Sequence, residues 1–161
     1  MKDKTIYLGI IIVNAAILVT AGAYLPVEDE FKGESIDFEV INLGLISNKR
    51  TNRTEAFIIN SHEEYERIVG RIDNETEINL EENSVLAVLL GQRRTGGYRI
   101  EIDEIREKDD RLVIHATETR PGDGCGVIQV LTYPYEAVLI ENIEEETEVE
   151  INLTVETRDC E

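Results

Sequence analysis

The feature that most limits how this chain can fold is an alternation of apolar and polar residues through its second half. Tyr98, Ile100 and Ile102 alternate with Arg99 and Glu101. Leu112, Ile114 and Ala116 alternate with Val113 and His115, and EVEINLTVE near the end alternates again from Val149 to Val155. A two-residue period puts one set of side chains on one face, so each stretch reads as a strand with a buried side. Val85 to Leu90 (VLAVLL) is instead a continuous apolar run, the pattern of a strand buried on both faces or covered by a helix. Shorter strands are expected at Ile36–Val40, Ala56–Ile59, Val127–Thr132 and Ala137–Ile140. One helix is expected over about residues 62–71. Ser61 caps it with Glu64 three residues on, and Tyr65, Ile68, Val69 and Ile72 recur at helical spacing. The expected fold is mainly β (α+β): a small antiparallel sheet or sandwich with one packed helix.

The first 25 residues have a different character. Lys2 and Lys4 precede an uncharged apolar run from Ile6 to Leu25, about long enough to cross a hydrocarbon core as a helix. The run ends in Ala21-Gly22-Ala23, the small-x-small pattern that signal peptidases recognise. Three readings fit: a transmembrane anchor, a cleaved signal peptide, or a buried core helix. The first two place the chain from about Tyr24 outside the cytoplasm, at the cell membrane or secreted. The lysines before the run and Glu28, Asp29 and Glu30 after it agree with that orientation. Residues 26–35 then read as a polar linker, and 36–161 as the β-rich domain.

Charge narrows the partners. The chain carries 34 Asp and Glu against 16 Lys and Arg, a net charge of -18. Such a surface repels phosphate backbones, so no nucleic-acid partner is expected. Catalytic material is sparse. His62 and His115 read as surface histidines, no GxSxG or HExxH motif occurs, and no cofactor, metal site or catalytic residue is assigned. Cys125 and Cys160 are too sparse for a redox or zinc site. Outside the cytoplasm they either pair, closing a loop of about 35 residues, or stand as two free thiols. Asn52, Asn74 and Asn152 begin glycosylation sequons.

Two glycine-rich loops remain. LLGQRRTGGYRIEI (89–102) has a phosphate loop's glycine spacing, but Gly97 stands where a lysine is needed and a strand follows instead of a helix. It therefore reads as a connection between strands. Gly91, Gly96 and Gly97 shape the turn, while Arg93, Arg94, Thr95 and Tyr98 are candidate contacts for an acidic protein partner. The second loop, TRPGDGCG (119–126), adds Arg120 as a contact and Pro121 and Gly124 as turn formers. Tyr133 and Pro134 follow in a rigid YPY step as contact and turn residue.

Together these stretches resemble the C-terminal domain of PrcB-type protease complex subunits. Gly91, Thr95, Gly96, Gly97 and Tyr98 match one part of its pattern, and Cys125, Gln129, Thr132, Pro134 and Tyr135 match another. Phe57 to Ser61 followed by Glu63, Glu64 and Tyr65 is similar to its opening strand and helix. The resemblance covers about residues 56–142. It implies a small extracytoplasmic β-rich domain that is non-enzymatic and binds a protein, in one member type as an accessory lipoprotein of a secreted protease complex. No lipobox cysteine follows the apolar run here, so attachment falls to the N-terminal helix itself. A much weaker similarity, through Thr95-Gly96-Gly97-Tyr98 and Arg120-Pro121, is to chagasin-like protease inhibitors. The tryptophans of that pattern are missing, with Ile100 and Gly122 in the corresponding places. A structural envelope protein with no specific ligand is the remaining alternative.

Overall fold

The computed structural model describes residues 33–71 and 78–160. Residues Gly33–Glu161 form one compact unit. Its strands are β1 (Glu34–Ser35), β2 (Glu39–Gly44), β3 (Glu55–Ile59), β4 (Asn83–Leu89), β5 (Arg99–Lys108), β6 (Arg111–Pro121), β7 (Tyr135–Glu141) and β8 (Glu148–Arg158). One helix, α1 (His62–Ile68), follows β3. They build two four-stranded sheets, ordered β1-β5-β6-β8 and β2-β7-β4-β3. Among the described residues the fold is mainly β with a single packed helix, as the periodicity predicts.

The continuous apolar run sits where three layers meet. On one face of β4, Leu86 and Val88 join Ile58, Val138 and Ile140 against Ile100, Ile105, Leu112 and Ile114 of the opposite sheet. On the other face, Val85, Ala87 and Leu89 pack with Tyr65, Ile68 and Val69 of the helix segment. A strand between another sheet and a helix has no water-facing side, and therefore no polar alternation. Removing a side chain such as Leu86 leaves a cavity that neither layer can fill.

The helix begins where expected, with the Ser61 hydroxyl accepting the Glu64 N–H at 3.3 Å. It ends at Ile68, earlier than the periodicity suggests, because Gly70 adopts φ +136. The β5–β6 hairpin turns on Asp109 and Asp110, both at positive φ (51 and 60), the geometry of a two-residue turn matched to strand twist.

Among the strands, pairing departs from the antiparallel expectation where β8 runs parallel to β6, from Arg111↔Glu148 to Pro121↔Arg158. β7 intervenes in the other sheet, so no hairpin joins β6 to β8, and a crossover allows the parallel direction. Val127–Thr132 also departs from expectation. It forms no regular strand, and only Thr132 and Tyr133 make isolated bridges, to Arg93 and Ile46. The chain there is drawn toward β8 by the Cys125–Cys160 disulfide and by Gly122 N–H donating to Arg158 O at 2.9 Å.

Membrane attachment is corrected. No helix among the described residues is long and apolar enough to cross a membrane. The apolar run on which the transmembrane helix, the membrane partner and the membrane localisation rested lies outside the described residues. The Asn74 sequon also lies outside them.

The disulfide joins residues 35 apart in sequence. Replacing Cys160 by Ser is expected to cost about 3–4 kcal/mol, read from urea unfolding midpoints of oxidised and variant protein. An unchanged midpoint would show that the end of β8 holds the loop without the bond.

Candidate functional site

Two carboxylates stand at buried positions and organise one end of the sandwich. In β6, Leu112, Ile114 and Ala116 point into the core, and Glu118 shares their parity; it is 1% exposed. Arg120 grips it with two hydrogen bonds, Nε to Oε1 at 2.9 Å and Nη2 to Oε2 at 3.1 Å, and Arg93 Nε reaches Oε1 at 3.1 Å. Burial pushes the Glu118 carboxyl upward. The Arg120 and Arg93 hydrogen bonds outweigh it and hold the group below its ordinary 4.5. Arg93 is therefore turned inward, its guanidinium also 5.7 Å from the centre of the Tyr98 ring.

Glu136 in β7 shares parity with the core residues Val138 and Ile140 and is also buried. Its carboxylate accepts the N–H of Ile102 from the opposite sheet. That stretch of β5 lies beyond the edge covered by β1, which pairs only at Arg106 and Glu107. Burial raises the Glu136 carboxyl above 4.5, the Ile102 hydrogen bond opposes this, and the charges of Glu101 and Asp103 add to the rise.

The two glycine-rich loops meet around this end. Arg93 exchanges both backbone hydrogen bonds with Thr132 at 2.9 Å, and Gly96 N–H donates to Ile128 O at 2.9 Å. The Thr132 hydroxyl donates to Thr95 O at 2.9 Å, and the Tyr133 hydroxyl donates to the Gln92 side chain at 3.0 Å. Gly97, at φ +89, leaves room for Pro121 and Val127; a Cβ there would stand 2.8 Å from Val127 Cγ1. Gly91, at φ +82, has the Arg53 backbone where its Cβ would be, at 2.7 Å from Arg53 O. Gly124 is exposed in the disulfide loop, and Pro134 is buried, its carbonyl accepting Leu90 N–H at 2.8 Å.

Of the residues singled out for contact, Arg94 is exposed, Arg120 is exposed but bound to Glu118, Arg93, Thr95 and Tyr98 are half-buried, and Tyr133 is buried. A third segment, not singled out from sequence, completes the site. Leu45 O accepts Tyr133 N–H at 2.8 Å, Tyr133 O accepts Ser47 N–H at 3.1 Å, and Arg50 lies 5.0 Å over the Tyr133 ring. Gln92 N–H is bound by Thr51 O at 2.9 Å. Each of the three segments belongs to a run without Asp or Glu: residues 41–53, 84–100 and 124–135. They converge on one end that carries arginines and exposed Leu45, Ile46, Ile128, Val130 and Leu131. The missing carboxylates were a readable signal, as was the core parity of Glu118 and Glu136. That the runs come together was not readable.

Residues 84–141 match the family model described as PrcB C-terminal. The chain is PrcB-C-like over this segment. The PrcB-C-like segment runs from β4 through β7 and contains both glycine-rich loops, the disulfide loop and both buried carboxylates. Among the described residues no group of three or more His, Cys, Asp or Glu could hold a metal ion. No curated protein and no solved structure matches the chain.

Replacing both arginines, Arg93→Met with Arg120→Met, strands a buried carboxylate and is expected to cost about 3–5 kcal/mol at neutral pH; adding Glu118→Gln restores part of it. The two carboxylates oppose each other in acid. Glu118, held below its unfolded value, stabilises the fold above that value and loses this as pH falls through its folded one. Glu136, raised, favours the fold below its unfolded value and loses this as pH rises through its folded one. Glu136→Gln keeps an acceptor for Ile102 N–H, so it should raise the urea midpoint at pH 7 relative to wild type and lose that advantage in acid. A lowered midpoint at pH 7 would contradict the direction of the Glu136 shift.

Proposed function

We propose that this chain is a non-enzymatic, extracytoplasmic interaction domain that serves as an accessory subunit of a protease complex. The observation that carries the reading is charge segregation. On a chain of net charge -18, three carboxylate-free segments meet at one end. Among the described residues, Arg50 and Arg94 form no ion pair there, and exposed aliphatic side chains lie beside them. A basic and apolar spot on an acidic body steers an acidic protein surface toward one orientation and repels the rest. The likeness of residues 84–141 to the PrcB C-terminal family supports a protease complex as the setting, and the disulfide suits an oxidising compartment.

The inhibitor reading draws less support. Thr95 to Tyr98 lies against Thr132, Ile128 and Pro121 and does not stand out as a loop that could enter a protease cleft.

The test is co-purification of the tagged full chain from its native source, with proteins identified by mass and proteolytic activity assayed. A protease polypeptide is expected with wild type and about tenfold less with Arg50→Glu/Arg94→Glu, since reversing rim charges weakens steered association. Purified chain is expected to hydrolyse no peptide alone. Recovery of no protease, or hydrolysis by the chain itself, would overturn the reading.

A further inference from the structure

The segment between the disulfide loop and the YPY step has an unusual combination of properties. Ile128, Val130 and Leu131 are 61%, 46% and 49% exposed, an aliphatic stretch on a strongly acidic chain. Its backbone is also open. Thr132 gives both its hydrogen bonds to Arg93, and Tyr133 gives both of its own to Leu45 and Ser47 on the other side. Before them, Gln129, Val130 and Leu131 make no backbone hydrogen bond with another described residue, and Ile128 makes one, to Gly96. Unpaired backbone groups beside exposed aliphatic side chains are the two requirements for adding a strand from another chain.

The charges around the cluster select what can be added. Arg94 lies between Arg93, which is bridged to Thr132, and Gly96, which is bonded to Ile128. Arg50 stacks over Tyr133, two residues beyond Leu131. The nearby Glu118 is buried and neutralised by Arg93 and Arg120, so its charge does not offset the two free guanidinium groups. Leu45 and Ile46, themselves exposed, extend the apolar surface from the Tyr133 side.

We infer that residues 128–131 form a docking edge for an extended protein segment that alternates aliphatic and acidic residues. The segment's backbone pairs with Gln129–Leu131, its aliphatic side chains cover Ile128, Val130 and Leu131, and its carboxylates meet Arg50 and Arg94. This rests on the interaction-domain reading above and adds the mode of binding and the chemistry of the partner. A basic segment is disfavoured by the same two arginines and a nucleic acid by the charge of the whole chain.

The probe is a synthetic peptide of about twelve residues alternating valine or isoleucine with glutamate, compared with its lysine counterpart. Binding to the disulfide-intact full chain is followed by fluorescence anisotropy, and amide hydrogen exchange locates the contact. The glutamate peptide is expected to bind and the lysine peptide not. Binding should protect the amides of residues 129–131, weaken about tenfold in Arg50→Glu/Arg94→Glu, and be lost in Gln129→Pro, which removes a pairing N–H. All these positions are outside the core, and the urea midpoint of each variant checks that the fold is intact. Equal binding of both peptides, binding of neither, or protection at another strand edge overturns the inference. A dimer that Leu131→Glu converts to monomer assigns the edge to a second copy and overturns it as well. If native protease is still captured by Gln129→Pro at the wild-type level, the docking edge is wrong and the accessory role stands. If wild type captures none, the accessory role itself has failed.

Discussion

The double-sided burial of β4 is the constraint on which the rest of the architecture depends. Its side chains alternate between the sandwich core and the helix-covered face, and every position from Ser84 to Leu89 is buried. A one-residue slip in its pairing with β3 or β7 would exchange the two sets and misfit both cores. That fixed register places Leu90 and Gly91 at the end of β4, against Pro134 and Arg53, and so decides where the Arg93 loop begins.

Electrostatics at that end follow from two carboxylates placed at core parity. Glu118 draws Arg93 inward and is gripped from the surface by Arg120, and Glu136 ties one sheet to an uncovered stretch of the other. Neither could be buried alone at acceptable cost. With Arg93 and Arg120 committed to Glu118, Arg50 and Arg94 are left without an ion pair among the described residues. The three segments that build this end, residues 41–53, 84–100 and 124–135, contain no Asp or Glu of their own. A basic and apolar end on an acidic body is the physical basis for reading the chain as a binding module.

Much of the fold could be read without coordinates. Alternation over Tyr98–Ile102, Leu112–Ala116 and Val149–Val155 marks the strands that the fold extends to Arg99–Lys108, Arg111–Pro121 and Glu148–Arg158, and capping marks the helix opening at Ser61. Val127–Thr132 looks like the other strands in composition, yet forms none, because a strand needs partners and its neighbours pair only at Thr132 and Tyr133. The parallel course of β8 was equally hidden, since alternation fixes a face and carries no direction.

The sequence by itself determined the two-faced strands, the doubly buried β4, the helix that opens at Ser61 and the acidic balance, because each is a local pattern of side-chain chemistry. It also carried the PrcB-C-like signature in its glycine-rich loops. Only the tertiary structure decided that Arg93 turns inward while Arg94 stays out, that Cys125 meets Cys160, and that residues 45–51 bond to Tyr133 and Gln92. Those outcomes depend on which segments become neighbours across two sheets. Long-range pairing sets that arrangement, and no window of sequence contains it.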